Sequence, residues 1–280
     1  MDQGEMDKMA ANAPVAAGPT AVVGAKYADW TGRLIFILAA AAALWGLAGP
    51  VGSGLGAWDY GFAITGMFWS FWVGVAAVIL GIILVLLGRR SGRIWRPFLW
   101  AGILVGLCYA GWLANLASKA EPRIHDISTD LADPPAFQLL NLRADNLDNI
   151  PGADDPEMRG LSPQQRWLSV HQTAYSDIRS VRIAQPVPQV MTKAQRLAKA
   201  RGWQVALYLP AQGRMEATET SRLFRFKDDI VLRVRPSEDG DESIIDMRSV
   251  SRVGQSDLGV NARRIKSFLA DLSGTVTAAD

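Results

Sequence analysis

The sequence predicts an α+β domain carried on an anchor of three N-terminal transmembrane helices. Three observations predict it. Long apolar runs are confined to residues 1–118, an alternating apolar–polar pattern recurs from residue 178 onward, and two amphipathic stretches are interleaved with it. Residues 1–29 are rich in Ala, Pro and Gly and read as a disordered cytoplasmic tail. Residues 30–118 read as the anchor. Its apolar runs at 34–56, 60–88 and 97–117 contain no Asp, Glu, Lys or Arg. Each reaches the roughly 20 residues a helix needs to cross hydrocarbon. The first run begins too deep and extends too far for a cleaved signal peptide, so an uncleaved signal anchor is expected.

Orientation follows from the cations. Arg89, Arg90, Arg93 and Arg96 crowd the connector between the second and third runs, whereas the connector 50–59 holds no Lys or Arg. The positive-inside rule places the N-terminus and the arginine connector in the cytoplasm, and three crossings put the C-terminal domain on the far side. Lys119 and Arg123 pull weakly the other way. Trp30, Trp58, Trp95 and Trp112 lie near the ends of the runs, as an aromatic belt requires, while Trp45 falls inside the first. Runs without ionisable groups argue against ion or proton transport. Gly102, Gly106 and Ala110 offer a small-residue face for helix association.

Residues 119–177 read as an extended segment and a long surface loop, punctuated by Pro134-Pro135, Asn141, Asn146, Asn149, Pro151-Gly152 and Asp154-Asp155-Pro156. The core of the domain is expected within 178–280. Strands are predicted at 178–183, 203–209, 214–226, 229–235 and 243–251. A helix over 187–201 places Val190, Met191, Ala194, Leu197 and Ala198 on one face, and Gly202 stops it. A second helix over 258–272 turns Ile265, Phe268, Leu269 and Leu272 inward. The order is β-α-β-β-β-β-α, and short turns between the later strands favour an antiparallel meander with helices packed on one face.

Charge narrows the function classes. From Lys119 to Asp280 the chain carries 22 Lys and Arg against 22 Asp and Glu, so the net +2 of the whole sequence arises before residue 119. A neutral domain without a basic stripe argues against nucleic acid as a partner. Cys108 is the one cysteine, which excludes an internal disulfide and a multi-thiolate zinc site. With His125 and His171 as the two histidines, neither a metal nor another cofactor is expected.

Strand alternation sorts the remaining side chains. Phe224, Phe226, Ile230, Leu232 and Val234 fall on a core face, with Arg225, Lys227, Asp229, Arg233 and Arg235 opposite. In the next strand Ile245 and Met247 look inward, while Asp246, Arg248 and Arg252 share the charged face, which Glu216 or Glu219 joins. One reading is a solvated face laced with weak ion pairs, each contributing about 0–1 kcal/mol. The other is an anion site. Arg233, Arg248, Arg252 and Asn261 would surround the start of the last helix, where Gly254 and Gly259 allow close approach and free N–H groups attract anions. Ser256 or Asp257 caps that helix, and the Asp257 charge competes with any ligand. The segment 125–130 gathers His125, Asp126, Ser128, Thr129 and Asp130. Chemically these suit a general base or a metal site; structurally they fix a turn. No nucleophile elbow, Walker loop or HExxH motif accompanies them.

The soluble part resembles a bacterial and plastid family, domain of unknown function 1499. The resemblance rests on IHDISTD at 124–130 with Pro134-Pro135-Ala136-Phe137, on Gly202-Trp203, on EATETSRLFRFKDDIVLRV at 216–234 and on DMRSVSRVGQSDLGVNARRI at 246–265, spanning roughly 122–272. It implies that Asp228, Asp229, Arg233, Arg248, Ser249, Ser251, Arg252, Asp257 and Asn261 belong to the family's signature. It implies no activity, and the stretch 140–158 departs from the shorter form expected. The three-helix anchor looks like that of some proteobacterial members. The expectation is therefore a bacterial inner-membrane protein with a periplasmic domain that binds an anionic ligand, a lipid head group or an envelope partner protein. The alternatives are a membrane-anchored hydrolase using His125 and nearby carboxylates, or a structural subunit of a membrane assembly.

Overall fold

The computed structural model describes residues 19–86, 106–107, 109–110, 122–148 and 150–274. The chain forms two compact units, Met1–Gly52 with Gly61–Ala114, and Ser53–Tyr60 with Asn115–Asp280.

The first unit is built on α1, Pro19–Leu55, and α2, Tyr60–Leu86. Within them Ile37–Leu55 and Tyr60–Leu80 are long and apolar enough to cross a membrane. Only 22 % of each stretch is buried among the described residues, which leaves most of its Leu, Ile and Trp side chains exposed, as a membrane-crossing helix would have them. The α1 helix starts at Pro19, well ahead of the apolar run, so residues 19–29 are helical although sequence composition placed them in the tail. Two of the three expected runs are thus helices of a length and composition that could span a membrane. The arginine connector and most of the third run, Gly106, Leu107, Tyr109 and Ala110 apart, lie outside the described residues, as do 1–18.

The domain in the second unit has one sheet of six strands: β1, Asp126–Ser128; β2, Val181–Ile183; β3, Gln204–Leu209; β4, Arg214–Thr220; β5, Lys227–Pro236; β6, Ser243–Ser251. All pairs are antiparallel, in the order β1-β6-β5-β4-β3, with β2 also on β6. Helices α3 (Pro163–Ala174), α4 (Val187–Ala200) and α5 (Val260–Ser273) complete it. The expected β-α-β-β-β-β-α meander is present from β2 to α5. A short 3-10 turn, Pro210–Gln212, leads into β4 through Gly213 at φ +61, where an added Cβ would strike the Val234 carbonyl oxygen.

Register fixes two faces. Opposite partners such as Ala217 and Ile230, Met215 and Leu232, and Leu232 and Met247 share the face on which α4 and α5 lie. Met191, Ala194, Ile265, Phe268 and Leu272 fill it from the helices, and Trp203 stacks on Phe268 at 4.8 Å between ring centres.

Three expectations need correction. The segment 119–177 is not all loop, because it contains β1 and α3. The start of α3 is set by a capping box, in which Gln165 N–H donates to the Ser162 hydroxyl and Ser162 N–H to the Gln165 side chain, with Pro163 at the first turn. β1 is three residues long and mostly polar, which leaves no apolar periodicity to read. The strand expected to reach Phe226 ends at Thr220, and Ser221 N–H closes a turn by donating to the Phe226 carbonyl. Phe224 and Phe226 are consequently half-buried in that turn, stacked on each other at 5.3 Å, and outside the core.

Both β1 and β2 pair with the same side of β6, at opposite ends of it. The outward backbone groups of β1 have no further strand beside them. Side chains one turn apart on α3 take that place: Trp167 Nε1–H donates to the Asp126 carbonyl (2.8 Å), and Ser128 N–H donates to His171 Nε2 (3.1 Å).

Candidate functional site

Of the two sequence readings of the second sheet face, a solvated face or an anion site, the solvated one does not hold. Glu216 and Asp246 are fully buried, and Asp126 and Asp229 nearly so. Glu216, Asp126 and the Arg233–Asp246 pair lie beneath the chain that follows β1. Residues 130–146 lie across this face and are tied to it by hydrogen bonds. Gln138, Leu139 and Leu140 donate their N–H groups to the Glu216 carboxylate at 2.5, 3.0 and 2.9 Å. Arg214 donates to the Ala136 carbonyl, and Arg248 to that of Pro135 at 3.4 Å.

Arg233 is the centre of one cluster. Its Nε donates to Asp246 (3.0 Å), Nη1 to Asp133 (2.7 Å) and Nη2 to Asp130 (3.0 Å). Burial opposes its charge, but the hydrogen bonds to Asp246 and Asp133 prevail and raise its pKa. Asp246 also accepts from Arg235 and Ser180. A second cluster lies around Arg248, which grips Asp126 with Nε and Nη2 at 2.8 and 2.6 Å. Asn146 donates to the same carboxylate at 2.6 Å, and its carbonyl oxygen faces His125 Nε2 at 3.2 Å. Arg252 holds Asp229 with two bonds of 2.8 and 2.9 Å and reaches Thr218 at 3.2 Å.

The candidate residues separate accordingly. Arg233 and Arg248 lie beneath the same covering segment, each committed to carboxylates. Arg252 stands at the end of the sheet with 41 % of its side chain exposed. Asn261 is on the helix side, where it accepts from Ser249 Oγ (2.6 Å) and donates to Ser251 Oγ and the His125 carbonyl (both 2.9 Å). Beside it Arg264, almost fully buried, bridges Asp228 and Glu219 across the ends of β5 and β4. The start of α5 is occupied by the protein's own anion. Asp257 accepts the N–H groups of Gly259 and Asn261 at 2.9 and 2.6 Å, and burial raises its pKa.

His125 is only 3 % exposed, and the neighbouring Asp126 is committed to Arg248 and Asn146. Among the described residues no group of three His, Cys, Asp or Glu side chains is placed to hold a metal ion. Thr129 and Asp130 border an open cleft of about 740 Å³ with Gln172, Ser176 and Arg179, whose guanidinium donates to the Ser176 carbonyl of its own turn.

Sequence reasoning missed Asn146, Trp167, His171 and Arg264. For Trp167 and His171 a signal existed, the Ser162-Pro163-Gln164-Gln165 helix start. For Asn146 and Arg264 none did, because their roles come from partners far along the chain.

An exposed set of cations contrasts with these pairs. Arg222, Arg225 and Lys227 occupy the β4–β5 turn, all exposed. The acidic residues nearest in sequence, Glu219, Asp228 and Asp229, bind Arg264 and Arg252 instead.

The fold and network define an α+β domain of one antiparallel sheet, with helices on one face and a covered layer of ion pairs on the other. The chain belongs to the DUF1499 family, described as proteins of unknown function, whose pattern matches residues 126–272, from β1 into α5. No curated protein matches the chain.

Proposed function

We propose that the protein is a membrane-anchored component of the bacterial envelope whose extracytoplasmic domain acts by binding anionic lipid head groups rather than by catalysis. The observation that carries this reading is the division of the cations. Arg233, Arg248 and Arg264 are consumed by internal carboxylates, whereas Arg222, Arg225 and Lys227 are exposed, with Arg252 beside them. Arg252 N–H donates to the Lys227 carbonyl, which joins the two segments into one basic edge. Cations near a bilayer surface attract anionic lipid by about 1 kcal/mol each. The hydrolase alternative has less support, since His125 is buried with its Nε2 turned to Asn146.

The test uses the full chain in nanodiscs containing both phosphatidylcholine and phosphatidylglycerol, released into a native mass spectrometer. Retained phosphatidylglycerol is expected to exceed phosphatidylcholine, and the preference is expected to vanish in the Arg222→Gln/Arg225→Gln/Lys227→Gln variant. Equal retention of the two lipids by the native chain would overturn the reading. The side of the membrane rests on Arg89, Arg90, Arg93 and Arg96. An alkaline phosphatase fused after Asp280 is expected to be active, and a silent fusion would reverse the orientation.

A further inference from the structure

From the β4–β5 turn into the first residue of β5 the chain runs Ser221-Arg222-Leu223-Phe224-Arg225-Phe226-Lys227, three cations interspersed with three large apolar residues and no acid. Leu223 is 56 % accessible, and an exposed apolar side chain becomes informative where others gather at the same end of the domain. Alternating cations and apolar side chains do suit the boundary between head groups and acyl chains, where the two kinds of group are solvated by different layers.

The fold places this turn at one end of the sheet, and the register says which. Asp228 pairs with both Glu219 and Ser251, so the turn and the chain leaving β6 emerge together. The Ser251 N–H donates to the His125 carbonyl, so the polypeptide coming from the apolar runs enters the domain at this same end. Ser53 in the last turn of α1 and Tyr60 at the start of α2, with the connector between them, belong to this compact unit. The Tyr60 ring meets that of Phe226 at 5.1 Å, and the Ser53 hydroxyl donates to the Phe224 carbonyl at 3.3 Å. Further exposed apolar side chains, Leu258 and Val260 at the start of α5, stand at the same end, each 40 % accessible. The two non-glycine residues with positive φ among those described, Arg225 (φ 55) and Leu258 (φ 52), are both here as well. Such backbone conformations persist only where the surroundings enforce them.

We infer that the β4–β5 turn is a membrane-inserting finger: Leu223 and its apolar neighbours enter the acyl boundary of an anionic bilayer while Arg222, Arg225 and Lys227 lie among the head-group phosphates. The inference rests on the reading that the domain works at a lipid surface, and adds how it engages that surface. The domain is thereby held against the bilayer at two places, through its covalent tether and through this turn.

The single cysteine makes the test direct. In a Cys108→Ala background, Leu223→Cys is labelled with an environment-sensitive fluorophore, and the full chain is placed in nanodiscs of phosphatidylcholine and phosphatidylglycerol. Asp239→Cys, in the β5–β6 turn at the far end of the sheet, is the reference. The label at 223 is expected to shift to the blue and to lose most of its intensity when the acyl chains are brominated, with the label at 239 unchanged. Arg222→Cys provides a second probe should the first variant fail to fold. Labels at both 222 and 223 that resemble the one at 239 would overturn the inference. If the phosphatidylglycerol preference survives that result, insertion alone fails; if the preference is absent too, the head-group reading fails with it.

Discussion

The two faces of the sheet exclude water by different means. On the helix side Ile230, Leu232, Ile245 and Met247 meet α4 and α5 through contacts with little directional demand, so neighbouring side chains can shift to accommodate change. On the other side Glu216, Asp246 and Asp126 lie equally deep, but each must find donors at hydrogen-bond distance and angle. Buried ion pairs contribute little net stability, because desolvation offsets most of the attraction. Their specific effect here is to hold one irregular segment, 130–146, in one position. The apolar face provides adhesion and the charged face provides placement.

Substitutions on the two faces separate these roles, beginning with the strongest. Phe268→Ala empties a fully buried site under Trp203 and is expected to cost about 4 kcal/mol, read as a global loss in denaturant melts of the full chain in mild detergent. Arg248→Ala strands the Asp126 carboxylate and is expected to cost about 3 kcal/mol. The paired change Arg248→Met with Asp126→Leu should recover most of that loss, and a double variant no more stable than the single would refute the weak net value assigned to the pair. Glu216→Gln removes the charge from three N–H bonds, at about 1–2 kcal/mol. Its distinguishing result is faster hydrogen exchange at 138–140 with the α4–α5 core unchanged; uniform acceleration would deny the charged face a local role.

The smallest effect expected is on pH dependence. Burial lowers the His171 pKa below its ordinary 6.5, against a weaker upward pull from Asp126. The native state then binds fewer protons than the unfolded chain, so this contribution to stability is complete above about pH 6.5 and is lost as the pH falls toward the folded value. His171→Asn is expected to flatten stability over that window, and an unchanged slope would show that the titration lies elsewhere.

The helix side was legible because its information is periodic. Val190, Met191, Ala194 and Ala198 recur at helical spacing, and Ile230, Leu232 and Val234 alternate, so each element announces its buried face within a few residues. The charged side was legible in composition but not in placement. Arg233, Arg248 and Asp246 stood out as a shared face, yet nothing near them in sequence says that 130–146 covers it, since Asp130 and Arg233 are 103 positions apart. Asn261 shows the same limit. It sits in the α5 segment beside residues that favour an anion, but the helix geometry turns it toward Ser249 and Ser251 on the other face. The turn at 221–226 was misread because Phe224 and Phe226 continue the alternation of β5, and periodicity alone does not distinguish a core residue from an apolar residue in a turn.

The β1 strand bears on how the protein is made. It is the first strand synthesised and pairs with the last, so Asp126 waits 122 residues for Arg248 to appear. Ribosomal output therefore yields helices α1 and α2 long before the sheet can close, and the nascent domain passes through its most charged stage with those charges unpartnered. Pairing of β1 with β6 is a long-range contact whose loop-closure cost slows completion of the sheet.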